Sequence, residues 1–185
     1  MSIRLFLSSL ALCMLMACSE QSGGSSANQQ NNEATVVASE SASATASLPG
    51  NKVVELDLYK SPTCGCCGKW ADHASEGGFS LATHHPADMN KLKAEYGIAA
   101  QYQSCHTAVS KQGYVFEGHI PARYVRQFLA APPADALGLA VPAMPMGSPG
   151  MEMGERFTPY RVLLLKKDGS AEVFAEVTAL AQQYQ

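Results

Sequence analysis

The segment Cys64-Gly65-Cys66-Cys67 places three thiols within four positions, and a fourth, Cys105, follows on a separate segment. Thiols this crowded can bridge as disulfides, exchange electrons or bind a soft metal, and the last two need the thiolate form. Ser61-Pro62-Thr63 breaks the chain just before the group, and a helix is expected from Cys66 to about Gly77. The group therefore stands at a helix N-terminus, where unpaired N–H groups and the positive end of the dipole favour negative charge. Cysteines in such places can fall from about 8.5 to between roughly 3.5 and 7.5 in pKa.

Three chemistries fit. A structural disulfide suits an oxidising compartment, and four cysteines permit three pairings. Adjacent Cys66 and Cys67 would pair only with strain. Thioredoxin-like exchange is the second, because Cys64 and Cys67 form a Cys-x-x-Cys with Lys69 just beyond it. A third thiol between them would intercept the mixed disulfide. Soft-metal binding is the third, and dense thiolates suit Cu(I), zinc or iron–sulfur clusters. Structural zinc uses paired Cys-x-x-Cys knuckles a dozen or more residues apart, and the sequence has none. Cys-x-Cys-Cys closes poorly around one tetrahedral ion and more naturally bridges several Cu(I) ions. Metal binding at Cys64, Cys66, Cys67 and Cys105 is the leading expectation, and a thiol–disulfide oxidoreductase is the alternative.

Further soft or borderline donors are present. Met144, Met146, Met151 and Met153 share one Pro/Gly-rich stretch. Thioethers select Cu(I) over zinc, though such side chains also serve as gap-fillers or partner surfaces. His106 directly follows Cys105, and His119 precedes a turn at Pro121. These six residues are candidates for ligands or for support of the ligands. His73, His84 and His85 are expected at the surface, and Trp70 in the core one turn from Cys66 and Cys67.

The elements that must position these groups form an α/β pattern. Val53 to Tyr59 reads as a strand, Phe79 to His84 as a second, and Asp88 caps a helix through Tyr96. Strand, helix, strand implies a parallel unit. Cys105–Val109 and Tyr114–Glu117 read as a hairpin, and Pro121 opens a helix to about Leu129. Leu137 to Glu155 lacks periodicity and reads as a long loop. Tyr160–Leu165 and Ala171–Val177 form a second hairpin. A Cys-x-x-Cys opening the helix of a βαβ unit, with hairpins after it, predicts one thioredoxin-like α/β domain over residues 52–185.

Residues 1–17 read as a signal peptide, with Arg4 ahead of an apolar run from Leu5 to Ala17. That run is shorter than the roughly 20 residues a membrane span needs. Leu15-Met16-Ala17-Cys18 resembles the bacterial lipobox, which implies lipidation of Cys18 and loss of Cys13. Ser19 rather than Asp follows, which implies the periplasmic face of the outer membrane in a Gram-negative cell. Residues 18–51 are rich in Ser, Gly, Asn, Gln and Ala, a composition that gives a flexible tether. A net charge of −3 gives no reason to expect nucleic acid.

Four separated motifs carry a family resemblance: Tyr59 to Trp70 (YKSPTCGCCGKW), Ser104 to Ala108 (SCHTA), Gly118 to Ala122 (GHIPA) and Gly138 to Glu152 (GLAVPAMPMGSPGME). Together they resemble the CopG-type periplasmic copper-resistance proteins, a family formerly known as a domain of unknown function, over about Val53 to Val177. The resemblance implies a thioredoxin-like fold holding a cysteine-bridged multinuclear copper cluster, with a role in copper resistance. It also implies cycling between Cu(I) and Cu(II), with a copper exporter or another periplasmic copper protein as partner. Carried over by position, the cluster cysteines are Cys64, Cys66, Cys67 and Cys105.

Overall fold

The computed structural model describes residues 53–184. The signal peptide, Cys18 and the tether to residue 51 lie outside the described residues. β1 (Val54–Lys60) buries Leu56, Leu58 and Lys60 on alternate positions, as a period of two requires. α1 (Gly65–Glu76) returns the chain to β2 (Phe79–His84), which pairs parallel with β1. α2 (Met89–Glu95) is capped by Asp88, whose side chain accepts the Lys91 N–H at 2.9 Å.

β3 (His106–Ser110) and β4 (Val115–Gly118) form the expected hairpin, with Gly113 in the left-handed region at its turn. α3 (Ala122–Ala130) then leads to β5 (Ala136–Val141), which lies parallel to β4. β6 (Tyr160–Lys166) and β7 (Ala171–Val177) complete one seven-stranded sheet in the order β2-β1-β3-β4-β5-β6-β7. The β1-α1-β2 unit joined to the β3–β4 hairpin and α3 is a thioredoxin-like arrangement, and β5 to β7 extend it.

Both faces of the sheet are covered. On one, Trp70 and Ala74 of α1 and Tyr124, Val125 and Phe128 of α3 pack on Leu56, Leu58, Phe116 and Leu139. Phe128 meets Phe116 edge-on at 5.6 Å. On the other, Ile98, Val109, Val115, Ala140 and Leu165 gather with Tyr96 and Tyr102. This second core also holds a buried Lys93, which no pattern in α2 announces.

The stretch from Leu137 to Glu155 is not all loop, because β5 occupies its start. Leu139, Ala140 and Val141 are all buried, so β5 lacks the polar alternation that marks a half-buried strand. Gly138 conceals it further. Its backbone passes so close to Val115 that any Cβ would collide with the Val115 carbonyl.

Candidate metal centre

β1 ends one turn short of α1, and Cys64 takes the N-cap position with extended backbone and no side-chain capping bond. Its carbonyl accepts the Gly68 N–H at 3.3 Å, which closes the first helical turn over the cysteine group. Cys67, Trp70 and Ala74 fall on one helix face and are buried. Trp70 fixes that face: its Nε1 donates to the Ile120 carbonyl at 2.9 Å, and its ring lies against His106 at 4.5 Å. Docking Trp70 therefore carries Cys67 inward to the start of β3.

There the fourth cysteine meets it. Cys105 Sγ stands 3.4 Å from Cys67 Sγ, and Cys66 Sγ stands 3.6 Å from Cys64 Sγ. All four sulfurs lie within 4.8 Å of one another. Cys64 and Cys67 are joined as a disulfide, while Cys66 and Cys105 are free thiols. Two electrons and two protons would return the pair to thiols and give four sulfur donors.

Two imidazoles extend the group. Cys105, His106 and His119 form a second set with donor atoms within the same 4.8 Å. His119 Nε2 lies 3.0 Å from Cys105 Sγ, and its Nδ1 lies 2.7 Å from the Pro149 carbonyl. A carbonyl only accepts, so Nδ1 carries the proton and Nε2 presents its lone pair to the sulfur. That is how a metal-binding imidazole is held. His106 Nδ1 lies 3.3 Å from the same sulfur, and its buried Nε2 makes no hydrogen bond of normal geometry. Both sets consist of sulfur and imidazole donors without a carboxylate, which suits a soft or borderline ion.

Ionisation differs across the site. Burial, with the neighbouring Cys66 adding to it, raises the Cys105 pKa to about 12. The thiolate argument for a helix N-terminus thus does not extend to this residue, which lies on the strand side. Burial also lowers His119, against the pull of the Pro149 carbonyl, and lowers His106 much further, with His119 and Lys93 adding to the effect. Both rings are held neutral.

The Met-bearing loop runs over this end of the molecule from β5 to β6. Gly150 sits in the left-handed region against α1, where a Cβ would stand 2.6 Å from the Cys66 carbonyl. The loop thus approaches the centre through Pro149 and Gly150. Met144, Met146 and Met153 are exposed, and Met151 is half-buried. His84 and His85 are exposed as expected, with His84 Nε2 2.7 Å from Asp57. His73 is not a free surface residue: it is half-buried, and its Nε2 accepts the Ala122 N–H at 3.0 Å. Trp70 lies in the core as expected, but its bond to the Ile120 carbonyl and that of Pro149 to His119 join residues too far apart in sequence for either motif to announce them.

The fold and the site together define a thioredoxin-like protein with a cysteine-rich centre whose donors fit a metal ion. A family described as protein of unknown function, DUF411, matches residues 102–151. No curated protein matches the chain significantly. Two solved structures, copper resistance protein CopG in Form 1 and in Form 2, are each 40% identical to it with a TM-score of 0.64. Each match covers 68% of this chain, with 98% of the Form 1 chain and 99% of the Form 2 chain. The chain belongs to this CopG family.

The lowered imidazoles give the metal-free protein a pH dependence of definite sign. His73, His106 and His119 are all lowered from 6.5, in each case chiefly by burial. Below that value the unfolded chain takes up protons that the folded chain refuses, so stability falls on acidification. Thermal melts between about pH 7.5 and 5.5 should show this loss, and His106→Gln should flatten it. An unchanged slope in His106→Gln would show that His106 is not one of the groups responsible.

Proposed function

We propose that this chain is a copper-binding protein of copper resistance that holds several Cu(I) ions on Cys64, Cys66, Cys67 and Cys105. One observation carries the reading: four sulfurs from two elements far apart in sequence lie within 4.8 Å of one another. The names of the related structures support copper as the metal. Thiolates this close can each bridge two ions, and Cu(I) needs only soft ligands in small number. His119, and His106 beside it, add neutral nitrogen donors around Cys105. A change between Cu(I) and Cu(II) belongs to the same proposal, since imidazole suits the cupric ion and sulfur the cuprous.

Loading starts from the protein's own bonds. The Cys64–Cys67 disulfide must first be reduced, and Cys105 must give up a proton that its surroundings hold tightly. Binding therefore releases protons and strengthens with pH. The disulfide also favours a second reading, a thiol–disulfide oxidoreductase acting through Cys64 and Cys67. Against it stands Cys66, whose sulfur lies 3.6 Å from that of Cys64, close enough to intercept a mixed disulfide.

Anaerobic Cu(I) titration of the fully reduced chain separates the two. Copper binding predicts more than one ion per chain, with binding lost in Cys66→Ser and in Cys105→Ser. Zero uptake would end that reading. The oxidoreductase instead predicts insulin reduction that survives Cys66→Ser and fails in Cys64→Ser.

The thioethers of the loop are proposed to pass Cu(I) to and from the sulfur group. Replacing Met144, Met146, Met151 and Met153 by Leu should keep the fold and the copper stoichiometry while slowing transfer to a competing chelator. Unchanged transfer rates would leave those side chains a packing or partner role. A lipid anchor at Cys18, holding the domain at the periplasmic face of the outer membrane, completes the proposal. Cys18→Ser should move the protein from the membrane to the soluble fraction, and continued membrane association would refute a lipid-only attachment.

A further inference from the structure

Beneath the cysteine group lies a buried polar cluster that the binding chemistry does not use. Lys93 of α2 is 2% exposed and Glu117 of β4 is 0% exposed. Lys93 Nζ donates to Glu117 Oε1 and, at 3.2 Å, to Thr107 Oγ1. Thr107 Oγ1 donates in turn to Glu117 Oε2 at 2.6 Å. Removing two charges from water costs several kcal/mol per ion, and hydrophobic replacements for such pairs are often no less stable. Stability alone thus gives little reason for a charge pair here.

Glu117 has one further partner. Its Oε1 accepts the backbone N–H of Ser104 at 2.6 Å. Ser104 precedes Cys105 and Thr107 follows it by two, so one carboxylate grips the chain on both sides of the fourth cysteine. Ser104 is held from two other directions as well. Its hydroxyl donates to the Ala143 carbonyl, and its Cβ lies where a side chain on Gly118 would otherwise stand. Ala143 adopts a φ of 60°, a left-handed backbone that costs a non-glycine residue energy and persists only where contacts impose it.

We infer that Glu117, with Lys93 as its counter-ion, is a positioning residue that sets Cys105 against the other three sulfurs. The carboxylate contributes an acceptor that the Ser104 N–H needs, and the ammonium neutralises the charge that this acceptor brings into the core. The inference rests on the copper-binding reading for its purpose but not for its geometry.

Two double variants separate the acceptor from the charge. Lys93→Met with Glu117→Gln removes both charges and keeps an oxygen for the Ser104 N–H, while the new amide can donate to Thr107. Lys93→Met with Glu117→Leu removes the acceptor as well. In the reduced, metal-free full chain, hydrogen exchange at the Ser104 amide should be slow in the wild type and the Gln variant and fast in the Leu variant. Circular dichroism and melting confirm that each is folded; should the Leu variant fail, Lys93→Met with Glu117→Ala takes its place.

Cu(I) supplied from a chromogenic chelator should then bind about 10- to 100-fold more weakly to the acceptor-free variant and near wild-type strength to the Gln variant. In a Cys105→Ser background the two variants should not differ from each other. Equal exchange at Ser104 in both variants would overturn the inference, as would equal Cu(I) affinity with Cys105 present. If the wild type takes up no Cu(I), the copper reading falls, and the Ser104 exchange still decides whether Glu117 positions this segment.

Discussion

The docking of Trp70 is the contact on which the rest of the centre depends. Its ring is the largest fully buried side chain among the described residues, and its single N–H ends on the Ile120 carbonyl. A large aromatic body with one polar tip can satisfy both demands in few orientations. Once it is seated, the helical repeat leaves no freedom to the residue one turn earlier, so Cys67 must face the start of β3. The same ring walls one side of His106, which keeps that imidazole dry and neutral. A candidate metal centre built at a strand-to-helix turn thus takes its precision from a core residue.

The sequence made the sulfur donors legible because chemistry and local structure coincided there. Cysteines at a strand-to-helix break announce both their reactivity and their place, and Cys105 beside His106 at the head of a hairpin extends the pattern. The alternating strands and the Asp88 cap were legible for the same reason, since each depends on neighbours within a few positions. What stayed hidden depends on distant partners. β5 is apolar on both faces and carries a glycine where Val115 crowds it, so its periodicity says nothing. Lys93 and Glu117 look like ordinary surface charges until the sheet brings them together. His73 was expected at the surface because nothing nearby reveals the Ala122 N–H that it accepts.

The two faces of the sheet divide the labour. The α1–α3 face holds the aromatic core and delivers Cys67, His106 and Trp70. The α2 face holds the ion pair and grips the backbone on either side of Cys105. The fourth sulfur thus sits where the two cores meet at one end of the sheet, supported from both. The Cys64–Cys67 disulfide adds a condition of another kind, because two of the four sulfurs offer thiolate donors only when that bond is open.

Gln183 shows how far this dependence runs. Its amide donates to the Gly147 carbonyl at 2.9 Å, and its oxygen accepts from the Tyr160 hydroxyl at 2.6 Å. The loop that orients His119 through Pro149 is thus fastened to the short helical turn at Leu180–Gln183. During synthesis, residues 64–67 leave the ribosome long before the turn that completes their surroundings. The surroundings of the centre thus include a fastening that forms only once residue 183 has been made.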